Sequence, residues 1–320
     1  MNHYTHLTTQ DRETAMVMLS QGCSLRAIAR RLGRSPSTIS REMKRNCTAN
    51  GIYSAARAEK RYHKRRKRCH REAILKDAEV AAYVTERIQE LKWSPEQIAS
   101  RARIEGYPKA FSYAAIYRAI HSHLLPVGLK KHMRILRHYK RKKEPDKRSE
   151  MQDIRSIAQR PPIVDERARI GDWEGDSILG MRTTGGIGIS VERQTGYIIA
   201  FLLSGGTSQE FIDKAVSAFA MIPRKAKATL TVDRGKEFTL HRNFEEQAGM
   251  QVYFCDPQAP WQKGTVENAN GLMRQFFPKK SSFASITPEA LQHVVDLINH
   301  RPRKRLGWLS PHEAFARFLL

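Results

Sequence analysis

The sequence predicts a multidomain chain: an all-α front built on helix-turn-helix units, then an α/β domain with a mixed five-stranded sheet. Three observations point there. The charge is split: of a formal net +24, residues 1–160 hold 36 Lys+Arg against 15 Asp+Glu, while residues 161–320 hold 20 against 17. The basic half reads as successive capped helices. The nearly neutral half alternates β-rich runs with amphipathic segments and is long enough to bury its own core.

The charge excess calls for a polyanionic partner. The cysteines, Cys23, Cys47, Cys69 and Cys255, lack Cys-x-x-Cys spacing, which argues against a zinc site and fits a reducing, cytoplasmic compartment. The longest apolar run, residues 197–203, is too short to span a membrane, and the amino terminus is polar, with no signal-peptide core.

Residues 1–50 form the first expected unit. Thr8 to Asp11 opens a helix, apolar positions continue through Leu19, and Gly22 stops it. Residues 24–45 then carry a helix-turn-helix signature. Ala29 is small where a second helix crosses, Gly33 permits a sharp turn, Ser35 caps the next helix, and Pro36 suits its first position. Ile39 and Met43 point to the core. Ser37, Thr38, Ser40, Arg41, Lys44 and Arg45 are left to meet base edges or phosphates. Residues 51–84 read as a basic helical connector that neutralises phosphates. Residues 85–125 read as a second hairpin, with Ser94, Pro95 and Gln97 as a capping box, Gly106 at the turn and residues 112–120 as a second recognition helix. Residues 126–162 read as a basic linker, bounded by Pro161 and Pro162.

Residues 163–320 form the last expected domain. Runs at 176–181, 187–191 and 197–203, joined at Gly185-Gly186 and Gln194-Thr195-Gly196, predict an antiparallel meander. A capping box at Thr207 and Glu210 opens a helix stopped by Pro223. A strand at 228–232, a helix at 240–248, a strand at 251–254, a helix at 260–274 and another from Thr287 to Ile298 follow.

Three stretches carry acids in suggestive settings. Asp172, Glu174 and Asp176 recur at period two and share one face of a strand. Asp233 ends a β-rich run, with Gly235 breaking the chain two residues later. Glu267 lies on the helix read over 260–274, on a polar face with Lys263, Asn270, Gly271 and Arg274. The residues alone leave Asp172, Glu174 and Asp176 in competition.

The pattern Trp173-x-x-Asp176, Thr231-x-Asp233-x-Gly235-x-Glu237-Phe238 and Gly264-x-x-Glu267-x-x-Asn270 resembles the acidic DDE core of integrases and transposases. The thirty-three residues between Asp233 and Glu267, and Pro260-Trp261-Gln262-Lys263-Gly264 ahead of the glutamate, resemble the IS30 family of bacterial insertion-sequence transposases. The resemblance covers nearly the whole chain. It implies an RNase H-like (integrase core) fold and selects Asp176 as the first acid. It also implies that Asp176, Asp233 and Glu267 are catalytic and hold two Mg²⁺ or Mn²⁺ ions, through which DNA is cut and joined. The implied partners are double-stranded DNA, as the element's terminal inverted repeats and the target, and further copies of the chain in a nucleoid-associated homo-oligomer. Lys263 and Arg274 are expected to hold phosphates of the scissile strand, and Glu237 to support the acids without joining them.

Overall fold

The computed structural model describes residues 5–69, 72–133, 153–181, 184–205 and 207–320. Chain contacts divide it into two units, Met1–Ala73 and Ile74–Leu320.

The first unit comprises α1 (Thr9–Ser20), α2 (Leu25–Arg31), α3 (Pro36–Asn46) and α4 (Ala55–Cys69). The local signals act as expected. Thr8 and Asp11 complete a capping box, Gly22 and Gly33 adopt positive φ, and Ser35 caps α3 with Pro36 in its first turn. Ile28, Ala29, Ile39, Met43, Tyr53 and Ala58 close the core. A charged network also runs through it. The buried Arg12 guanidinium donates to Glu42 Oε1 at 2.9 Å, to Glu59 Oε2 at 2.6 Å and to Leu7 O at 2.7 Å, and the Tyr53 hydroxyl donates to Glu42. These bonds tie α1, α3 and α4 together. The contacts group α4 with α1 and α3, across the boundary expected at 50, and put the next helix, which starts before the boundary expected at 84, in the second unit.

The second unit begins with α5 (Ala78–Gln89), α6 (Pro95–Ile104) and α7 (Tyr113–His121), packed on a shared apolar core. The capping box of Ser94 and Gln97 forms, and Ser112 caps α7. This hairpin is docked on the carboxy-terminal segment. Arg101 makes a two-pronged contact with Glu313, at 2.8 and 2.5 Å, and Gln97 Nε2 donates to Pro302 O at 2.8 Å. Much of the expected basic linker, residues 134–152, lies outside the described residues.

The mixed-sheet domain follows α8 (Pro162–Glu166). Its strands are β1 (Asp172–Leu179), β2 (Gly186–Glu192), β3 (Ile198–Leu203), β4 (Thr229–Val232) and β5 (Gln251–Phe254). The helices are α9 (Ser208–Ala220), α10 (His241–Ala248), α11 (Gly264–Met273), α12 (Pro288–Asn299) and α13 (Pro311–Leu319). The sheet order is β3-β2-β1-β4-β5. The first three strands pair antiparallel, and β4 and β5 run parallel to β1. One apolar core contains Trp173, Leu230 and Val232 with Phe211, Phe219 and Phe244 of α9 and α10. The other contains Ile178, Ile187 and Ile189 with residues of α11 and α12. Alternation along β1 therefore sends Trp173 to one face and Asp172, Glu174, Asp176 and Ile178 to the other, under α11. Thr207 caps α9 as expected, but the Glu210 carboxylate turns back to accept from Ser204 N and Gly205 N.

Among the described residues no helix is long and apolar enough to cross a membrane.

Candidate active site

The parallel pairing of β1 with β4 places two of the expected acids side by side. Asp172 faces Thr229, Trp173 faces Leu230 and Glu174 faces Thr231, a constant offset of fifty-seven residues. The same offset carries Asp176 to Asp233, just beyond the last paired residues. The strands thus deliver both carboxylates to one sheet face at one end of the pairing.

Lys263 lies between them. Its Nζ is 3.1 Å from Asp176 Oδ1 and 2.9 Å from Asp233 Oδ2. The residue is 7% exposed. Burial alone would lower the ammonium's pKa, but the two carboxylates outweigh it and hold the pKa above the usual lysine range. Lys263 was expected on an exposed helix face, free to meet phosphate. It is turned inward because residues 260–274 are not one continuous helix. Pro260–Lys263 form a 3-10 turn, and α11 starts only at Gly264. The tighter turn changes the phase of Lys263 relative to Glu267.

The remaining oxygens are also held. Asn270 Nδ2 donates to Asp176 Oδ2 at 2.7 Å, and Ser177 N donates to Asp176 Oδ1 at 3.0 Å. Gly235 N donates to Asp233 Oδ1 at 3.0 Å. A Cβ on Gly235 would sit 3.0 Å from that oxygen and 2.5 Å from Glu237 Oε2, so a larger residue there would push the Glu237 side chain aside. Glu237 supports the site from the side: Ser177 Oγ donates to its Oε1 at 2.7 Å.

Glu267 sits in the first turn of α11, between Lys263 and Asn270, both of which touch Asp176. Its own residue is exposed, and among the described residues no group of three His, Cys, Asp or Glu is gathered to hold a metal. The structure thus joins Asp176 and Asp233, and leaves the Glu267 carboxylate outside the pair.

Asp172 and Glu174, the rivals of Asp176, are committed elsewhere. Asp172 pairs with Arg169 and accepts from Thr229 Oγ1. Glu174 is 1% exposed and accepts from Arg193 at 2.7 Å, from Thr265 Oγ1 at 2.8 Å and from Val266 N at 2.9 Å. It therefore anchors the amino-terminal end of α11, where a carboxylate also suits the helix dipole. The period-two acids showed that such a strand face existed. What marks Glu174 as structural is its burial beneath α11, which the sequence does not display.

Arg274 is also not a free cation. It follows the last residue of α11, donates to Leu179 O at 3.0 Å and Phe277 O at 3.4 Å, and lies over the Phe283 ring. Nearby, burial pushes the Cys255 thiol up to about 11, so it offers no thiolate at neutral pH. In the first unit, Ser37, Ser40, Arg41, Lys44 and Arg45 are exposed on α3 and Thr38 is half-buried, while Ile39 and Met43 face inward.

A helix-turn-helix unit thus precedes a mixed-sheet domain that bears paired acids. A family model described as a helix-turn-helix domain matches residues 3–46. The transposase for insertion sequence element IS1086 of Cupriavidus metallidurans is 34% identical over 99% of this chain and 96% of its own length. Transposase InsI for element IS30C of Escherichia coli K12 is 36% identical over 98% of this chain and 84% of its own. The transposase for element IS4351 of Bacteroides fragilis is 34% identical over 98% and 96%. The chain belongs to the IS30 family of insertion-sequence transposases.

Proposed function

We propose that this protein binds the terminal inverted repeats of its own element through the α1–α3 unit, cuts the DNA there, and joins the freed 3′-hydroxyls to target DNA. The reading carries a metal requirement, for Mg²⁺ or Mn²⁺. One observation supports it above the others: Asp176 and Asp233 stand side by side with the Lys263 ammonium between them. That ammonium is a stand-in cation. It occupies a position walled by hard carboxylate oxygens, the donor type that suits these ions. The sheet order, with a meander followed by two strands parallel to the first, supports an RNase H-like fold.

When bound, two divalent ions supply acidification of the attacking hydroxyl or water and stabilisation of the leaving oxygen. The protein's part is positional. The β1–β4 pairing holds Asp176 and Asp233 where they would serve as ligands. Asn270 and Gly235 hold one oxygen of each. Glu174 fixes the start of α11, and Glu267, in that first turn, would complete the set with its side chain turned inward. Synapsis of two element ends calls for a homo-oligomer.

The test incubates the protein with labelled end DNA and Mg²⁺. Wild type nicks and joins, whereas D176N, D233N and E267Q bind the DNA without nicking it. Wild-type binding with no nicking would point to a DNA-binding regulator instead.

A further inference from the structure

A pocket of about 460 Å³ is bordered by Ile157, Arg160, Arg167, Glu174, Trp261 and Gly264. Trp261 is 76% exposed, whereas Trp93 and Trp173 are buried. A mobile loop does not explain that exposure. Gln262 clamps the segment shut, its Oε1 accepting from Asp256 N at 2.8 Å and its Nε2 donating to Asp256 Oδ2 at 2.9 Å. Ala259 is buried beneath. The indole is thus held out to solvent by a closed loop two residues from Lys263.

The pocket wall supplies a second feature. Arg160 is buried, and its guanidinium donates to Thr231 Oγ1 at 2.8 Å and pairs with Asp165. Its Nε–H is buried with no acceptor. That nitrogen is closed off from solvent, so the guanidinium acts as a fixed wall of the pocket rather than as an open donor. Arg193 and Arg167 are already committed, to Glu174 and to Thr265 Oγ1. The combination is a flat aromatic surface and a fixed guanidinium wall around a space the size of a nucleotide, with Trp261 two residues before Lys263.

We propose that this pocket receives one unpaired nucleotide of the DNA strand being processed, its base stacked on Trp261 against the wall that Arg160 forms. The inference rests on the strand chemistry proposed above and adds a subsite to it. Aromatic stacking tolerates any base, so the subsite recognises an unpaired nucleotide rather than a sequence. It favours DNA whose end is frayed beside the scissile phosphate.

The experiment uses the full chain without divalent metal and a forked duplex carrying 2-aminopurine in the unpaired strand beside the junction. Wild type should quench the probe several-fold through stacking, and W261F should retain most of that quench. With W261A the emission should return close to that of the free fork. DNA affinity by anisotropy should change by less than about threefold, since the basic helices carry most phosphate contacts. Equal emission from wild type and W261A in the bound state overturns the pocket, even if strands are joined in Mg²⁺. Quenching lost in W261A, with no joining by wild type, supports the pocket and contradicts the chemistry.

Discussion

Replacing Lys263 by Met removes the charge between Asp176 and Asp233 and keeps most of the side chain's volume. Removing one partner of a fully buried ion pair costs about 3–5 kcal/mol. Here the carboxylate side chains keep 19% and 25% exposure, so water screens part of their repulsion and about 2–3 kcal/mol is expected. In EDTA, K263M should therefore melt roughly 5–10 °C below wild type. A divalent ion replaces the missing charge. At a hundredfold excess over its dissociation constant, an ion that binds only the folded state adds about 2.7 kcal/mol. Mg²⁺ or Mn²⁺ should thus restore most of the loss, and the variant should bind metal more tightly than wild type because no ammonium has to leave. Thermal denaturation across a metal titration, with calorimetry for affinity, measures both. A K263M protein as stable as wild type in EDTA, or one whose deficit metal leaves untouched, would refute the reasoning.

Three further outcomes follow from other contacts. E174Q leaves the buried Arg193 without its closest counter-charge and loosens the start of α11; denaturant melts should show a loss of about 3–5 kcal/mol, with strand cleavage falling far more than DNA binding. Burial opposes ionisation of Glu313, but Arg101 and Ser310 outweigh it and hold the carboxyl at about 2, below its ordinary value of 4.5. A depressed folded-state pKa gives stability that is present above pH 4.5 and lost as pH falls toward 2, so the hold of α6 on α13 should weaken there. The pair is partly exposed and is worth only about 1 kcal/mol, and hydrogen exchange in α13 should report the loss, with E313Q removing the pH dependence. Arg65 and Arg66 line a basic concavity of about 710 Å³ with Arg41 and Arg45 of α3; if they contact phosphates, the R65A/R66A double variant should lower the salt slope of DNA binding by roughly 2 and weaken specific and non-specific sites alike.

Much of this molecule was legible because its signals are local. Caps such as Ser35 with Pro36 and Ser94 with Gln97 act within one turn, and the meander follows from alternation and glycine turns. The placement of Asp176 beside Asp233 was not legible in that way. It depends on the parallel register of β1 with β4, which no local pattern specifies, and the motif resemblance supplied it instead. The inward turn of Lys263 is not legible because a 3-10 turn interrupts the helical period across residues 260–274. Arg12 is buried in a run of polar residues, and its partners Glu42 and Glu59 lie thirty and forty-seven positions away. Long-range pairing of this kind leaves no mark in the local sequence.

The most direct measurement is anomalous scattering from Mn²⁺ in crystals of the protein bound to end DNA. The account predicts two peaks about 3.5–4 Å apart, bounded by Asp176 and Asp233, with Glu267 rotated onto them and the Lys263 ammonium displaced. Ordered end DNA with Lys263 still bridging the aspartates and no manganese between them would contradict it.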